Sequence, residues 1–135
     1  MPWFNEEKQP VVLVVDDNKE LVAILSMILE GQKYRVLRAF SGLEALQTAG
    51  QSKPDLVILD IMMPGMAGTD VLSKLQSQPE TKNIPVIMCT AQNDIAQIDK
   101  CTQLGCSGYI LKPFERAKVL GKVKEILYKG AQQPK

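Results

Sequence analysis

Five short, apolar, β-rich runs alternate with five segments of helical period, and that alternation leaves the chain few folds to choose from. Val11-Val12-Leu13-Val14-Val15 is apolar without interruption, the mark of a strand buried on both faces. Further strands are expected over Tyr34–Arg38, over Asp55–Leu59 after Pro54, over Ile84–Thr90 with Pro85 near its start, and over Tyr109–Leu111. After the first run, Leu21, Ile24, Leu25, Ile28 and Leu29 recur on one helical face that Gly31 ends. Ser41-Gly42-Leu43-Glu44 has the capping-box pattern and opens a helix through Leu46 and Ala49. Val71, Leu72 and Leu75 mark a third helix, and Ile95, Ile98 and Thr102 a polar fourth. The fifth runs from Phe114 to Tyr128, with Ala117, Leu120, Val123 and Leu127 on one face. Five β-α units with short connections imply an α/β fold, a parallel sheet covered by helices on both faces. In such a sheet the working groups sit at the carboxyl ends of the strands.

The 135 residues suffice for one domain with its own core. That domain is expected over 10–129. Residues 1–9 form an extension, polar apart from Trp3 and Phe4, and 130–135 have the composition of a tail or linker. A net charge of +1 argues against direct nucleic-acid binding and against a polybasic membrane anchor. The apolar runs are too short to span a bilayer, and Met1–Lys8 lacks the order of a signal peptide, so a cytoplasmic location is expected. The three cysteines, Cys89, Cys101 and Cys106, are odd in number and have no histidine beside them. They read as reduced, packed thiols rather than as disulfides or a zinc site.

The residues just past the strands carry the chemistry. The first run ends in Asp16-Asp17, the third in Asp60, the fourth in Thr90-Ala91 and the fifth in Lys112-Pro113. Parallel packing brings three carboxylates, a hydroxyl and an ammonium into one cleft. Carboxylates that close stay ionised cheaply only beside a cation, and an oxygen-only donor set suits Mg²⁺. Phosphoryl transfer needs mainly positioning and charge neutralisation, and an Asp can be the nucleophile. Each residue also has a plain reading. Asp17 could cap a helix through Asp17-Asn18-Lys19-Glu20, Thr90 could end a strand, Lys112 could be a solvated charge and Asp60 a turn former. Four suitable strand ends at once favour the shared site.

From Val11 to Leu127 these features resemble the receiver domain of bacterial two-component response regulators. The acidic pair Asp16-Asp17 corresponds to the family's pair, and Asp60 followed by Met63-Pro64-Gly65-Met66-Ala67-Gly68 to its phosphorylated aspartate and loop. Thr90-Ala91 and Lys112-Pro113-Phe114 correspond to its hydroxyl-plus-small pair and Lys-Pro-Phe segment. The resemblance implies a doubly wound, five-stranded sheet of flavodoxin-like order 2-1-3-4-5 and an aspartyl phosphate on Asp60. It implies Mg²⁺ held by Asp17, Asp60 and the Met62 carbonyl, with Asp16 acting mostly through water. Thr90, Lys112 and the Ala91 amide are then contacts of the phosphoryl oxygens, and Tyr109 is the aromatic that turns inward as Thr90 moves. A cis Lys112-Pro113 bond is also implied.

Implied partners are a histidine kinase or histidine phosphotransfer protein as donor, and a downstream effector or separate output domain. Ser107-Gly108 replaces an acidic pair common in regulators with salt-bridged dimers, so a monomer or weak phosphorylation-dependent dimer is expected. Met62 and Gln92, two residues past Asp60 and Thr90, stand nearest the path of attacking water, and neither can act as a base. Two other functions compete. An aspartate-nucleophile phosphatase usually has a second Asp where this chain has Met62, and a flavin carrier needs a phosphate loop where it has Asp16-Asp17. The expectation is therefore a switch that assists only its own phosphorylation and dephosphorylation, not an enzyme with an independent substrate.

Overall fold

In the computed structural model, which describes residues 9–91 and 96–128, five parallel strands alternate with five helices. The strands are β1 (Val11–Val15), β2 (Arg35–Ala39), β3 (Leu56–Asp60), β4 (Val86–Ala91) and β5 (Gly108–Lys112). The helices are α1 (Lys19–Glu30), α2 (Gly42–Ser52), α3 (Gly68–Ser77), α4 (Gln97–Gln103) and α5 (Arg116–Leu127). The sheet has the order β2-β1-β3-β4-β5, the flavodoxin-like order the resemblance implies. Trp3, Phe4, Gln92, Ile95 and the 130–135 segment lie outside the described residues.

Alternation along the strands divides the core in two. Leu13, Val15, Val57, Leu59, Val86 and Met88 meet Ala45, Ala49, Val71, Leu72 and Leu75 of α2 and α3, with Cys101 of α4. Val12, Val14, Leu56, Ile58, Ile87 and Cys89 meet Val22, Leu25 and Leu29 of α1 and Val119 and Val123 of α5. Both faces of β1, β3 and β4 are thus sealed, which is why these strands read as continuous apolar runs. Among the described residues no helix is long and apolar enough to cross a membrane.

Several expectations shift. Strands β2 and β3 begin one residue later than their apolar runs, and β4 begins after Pro85, whose carbonyl still accepts from Val57 N at 3.0 Å. On α1, Ile24 is 46% exposed, and Val22 and Ser26 are buried instead. Ser26 is satisfied at that depth, its Oγ accepting from Arg38 Nε at 3.1 Å. On α5, Ala117 is exposed and Val119 takes the core position. The box at α2 forms, with Ser41 Oγ accepting from Glu44 N at 3.2 Å, but Glu44 reaches back to Phe40 N at 2.7 Å rather than to the cap residue.

Candidate functional site

The carboxyl ends of β1, β3, β4 and β5 converge on one cleft. Asp16 follows β1 directly and is fixed by its own backbone, its N donating to Ala39 O at 3.2 Å. Its Oδ1 accepts from Asn18 N at 3.0 Å. Asn18, not Asp17, is the N-cap of α1, its Oδ1 accepting from Glu20 N at 2.9 Å and Leu21 N at 3.2 Å. The capping role open to Asp17 from sequence is therefore taken by its neighbour, and the exposed Asp17 carboxylate is left for the cleft. Sequence reading passed over Asn18, although an Asn three residues before an apolar stripe is itself a cap signal.

Asp60 is the last residue of β3 and pairs in register with Cys89, and Ala91 pairs with Lys112. Carboxylate oxygens of Asp16, Asp17 and Asp60 lie within 4.8 Å of one another. Lys112 Nζ sits between two of them, 2.9 Å from Asp60 Oδ1 and 3.2 Å from Asp16 Oδ2. The plain reading of Lys112 as a solvated charge does not hold.

Burial decides the electrostatics. Asp60 is 3% exposed, and desolvation pushes its carboxyl up to about 6 from the usual 3.8. The hydrogen bond from Lys112 opposes that rise, Asp16 adds to it, and the Met62 amide opposes it again. For Lys112 burial works against the charge, yet the bonds and charges of Asp60 and Asp16 outweigh it and raise its pKa. Buried Cys89 is driven far upward by desolvation, so it stays a thiol and adds no nucleophile beneath the cleft. Three carboxylates against one ammonium leave an excess of negative charge. The donors are all oxygen, and a hard cation of the Mg²⁺ type fits that set.

The remaining candidates surround this centre. Thr90 is buried at the end of β4, and its Oγ1 donates to Ala91 O at 3.1 Å, so the hydroxyl lies against the strand backbone. Met62 is 57% exposed at the rim, and Tyr109 on β5 is 40% exposed. The Lys112-Pro113 bond is cis. Gly68 turns out to matter for a reason the sequence hides. A Cβ there would come within 2.1 Å of Asp60 O and 2.8 Å of Ile61 Cα, and Gly68 N donates to Ile61 O at 2.9 Å. Only a glycine lets α3 start so close to the backbone that carries Asp60.

A family model described as the response regulator receiver domain matches residues 12–124. The chain belongs to that family. It is 39% identical over 118 residues to the alkaline phosphatase synthesis transcriptional regulatory protein PhoP of Bacillus subtilis, covering 86% of this chain and 48% of that protein. It is 32% identical over 123 residues to the DNA-binding response regulator MtrA of Mycobacterium tuberculosis, covering 91% of this chain and 53% of that protein. This receiver thus spans about half the length of these curated relatives. Among solved structures, a response regulator from Chloroflexus aurantiacus matches with a TM-score of 0.85 and 38% identity, covering 89% of this chain and 98% of that one. The chemotaxis protein CheY4 of Vibrio cholerae matches with a TM-score of 0.84 and 28% identity, covering 89% and 100%.

Proposed function

We propose that this receiver is a phosphorylation-activated switch that accepts a phosphoryl group on Asp60 from a phosphohistidine of a histidine kinase or phosphotransfer protein. The contact of Lys112 Nζ with Asp60 Oδ1 at 2.9 Å, inside the cluster of Asp16, Asp17 and Asp60, carries this reading. Above about pH 6 the Asp60 carboxylate is ionised and nucleophilic. One of its oxygens attacks phosphorus, the P–N bond breaks, and the electron pair stays on the imidazole nitrogen. Lys112 neutralises charge on the phosphoryl oxygens, while the Thr90 hydroxyl and the Ala91 amide donate to them. Asp17, Asp60 and the Met62 carbonyl would hold Mg²⁺, with Asp16 acting through water, and the ion would supply further charge neutralisation there.

The receiver turns over no independent substrate and assists only its own phosphorylation and dephosphorylation. To donate to the phosphoryl group, Thr90 Oγ1 leaves Ala91 O, which frees space behind it for Tyr109 to turn inward. The signal then appears on the face formed by α4, β5 and α5. Helix α4 suits this role because Cys101 is its one fully buried residue among those described. An effector or an output domain reads that face in the cytoplasm, without direct nucleic-acid contact by the receiver, which acts as a monomer or a weak phosphorylation-dependent dimer. Incubation with acetyl phosphate and Mg²⁺ should add one phosphoryl mass to the parent and none to Asp60→Asn. An equal, stable adduct on Asp60→Asn would refute Asp60 as acceptor, and undiminished labelling in excess EDTA would refute the metal requirement.

A further inference from the structure

Helix α4 ends in a turn that brings two thiols together. Cys106 N donates to Cys101 O and Gly105 N to Thr102 O, each at 3.0 Å, and Gly105 has a φ of +102°. Two such bonds around a left-handed glycine make a Schellman cap, which sets the side chains at its two ends, here Cys101 and Cys106, against each other. Both pack on the same half of the core. The cap is also held from outside, Gln76 Nε2 donating to Gly105 O at 2.8 Å and Ser107 N to Val86 O at 2.7 Å. Cys89 belongs to the other half of the core, across the sheet, and is no partner for either. Cys101 is fully buried and Cys106 only partly, so a small solute reaches the pair through Cys106. The phosphoryl chemistry does not use these thiols.

We propose that Cys101 and Cys106 are a redox-sensitive dithiol that hydrogen peroxide closes into an intramolecular disulfide. The 3.0 Å bond between the two backbones keeps their Cα atoms within the roughly 7 Å that a disulfide allows. The Cys106 thiolate attacks one peroxide oxygen, the O–O bond breaks, and the departing hydroxide takes a proton to become water. Cys106 is then a sulfenic acid. The Cys101 sulfur gives up its proton and attacks the Cys106 sulfur; the S–S bond forms, the S–O bond breaks, and the hydroxide leaves as a second water with that proton. The two thiols lose two electrons and the peroxide gains them. Burial pushes both thiols up, but at Cys106 the Thr102 hydroxyl and the Gly108 amide oppose the rise, so Cys106 is the one that attacks first. The disulfide pins the last turn of α4 to the entry of β5. Oxidation then holds one end of the helix on which the proposed switch acts; that consequence rests on the switch reading, whereas the cross-link does not.

Trypsin cuts after Lys100 and Arg116 and not at Lys112, which precedes a proline, so both cysteines fall in one peptide, residues 101–116. The full chain, freshly reduced, is treated with hydrogen peroxide, blocked with N-ethylmaleimide in denaturant and digested. That peptide should carry no maleimide and be lighter by two hydrogens, and dithiothreitol should restore two reactive thiols, while Cys89 carries one maleimide throughout. Closure should quicken as pH rises, because the thiolate is the attacking form. A peptide that keeps two maleimides overturns the proposal. Sulfinic acid on Cys106 beside a free Cys101 also overturns it, because the two sulfurs then do not reach each other, and so does a disulfide that joins two copies of the chain. In hydrogen exchange, the cross-linked chain should protect the amides of the last turn of α4 several-fold more than the reduced chain. Equal exchange in the two forms overturns the pinning of the helix.

Discussion

Replacing Asp60 by asparagine should stabilise the metal-free protein. Burial raises the Asp60 carboxyl from 3.8 to about 6, a shift of about 2 units, and each unit is worth about 1.4 kcal/mol of difference between the two protonation states. Asn is the neutral isostere, so it should recover most of that difference, roughly 2–3 kcal/mol at pH 7. For a chain of this size such a gain raises Tm by on the order of 10 °C. The pH dependence has a definite sign. The folded pKa lies above the unfolded one, so Asp60 costs nothing while both states are protonated. The parent loses stability between about pH 4 and about pH 6, as the unfolded state gives up its proton first, and the cost is constant above that. The gap between Asp60→Asn and the parent should therefore be small near pH 4, widen to about pH 6 and then stay level. Urea or thermal unfolding in EDTA, followed by circular dichroism at several pH values, measures it. A variant no more stable than the parent at pH 7, or a gain independent of pH, would show that burial of the charge is not what strains this site. Adding Mg²⁺ should stabilise the parent and not the variant, because the ion needs the carboxylate.

Three further outcomes follow from single contacts. Lys112→Ala removes the ammonium shared by Asp60 and Asp16, and labelling by acetyl phosphate should slow by on the order of 100-fold, as read by intact mass over time. Gly68→Ala drives a Cβ into Asp60 O and Ile61 Cα, so it should cost more than about 2 kcal/mol in urea unfolding; a neutral result would mean that α3 can withdraw freely. Met62→Asn puts an amide where an exposed thioether stands at the rim, and decay of the phosphorylated form after donor removal should accelerate, whereas an unchanged rate would show that Met62 does not shield the phosphoryl group.

The sheet was legible in the sequence because strands buried on both faces must be apolar throughout. Val11–Val15 reads as such a strand, β3 and β4 share the pattern, and five β-rich runs alternating with helical stripes leave little topological freedom. The candidate site was legible for a related reason. A parallel sheet gathers its strand ends, so a suitable polar group after each of four strands already implies a cluster, and Asp16, Asp17 and Asp60 do meet within 4.8 Å.

What the sequence leaves open are choices between neighbours of similar chemistry. Asp17 and Asn18 both fit a helix cap, and only the chain path out of β1 decides that Asn18 takes the two amides while Asp17 faces the cleft. Ile24 fits the helical stripe as well as Val22, but the angle at which α1 lies on the sheet exposes one and buries the other. The sequence puts Lys112 at a strand end beside the acidic cleft, but only the pairing of β5 with β4 sets its ammonium between the carboxylates of Asp60 and Asp16. Periodicity and residue type act within a segment and are written in the sequence. Partner choice and the few ångströms between Gly68 and Asp60 depend on how segments far apart in the chain come to rest against each other, and the tertiary structure settles them.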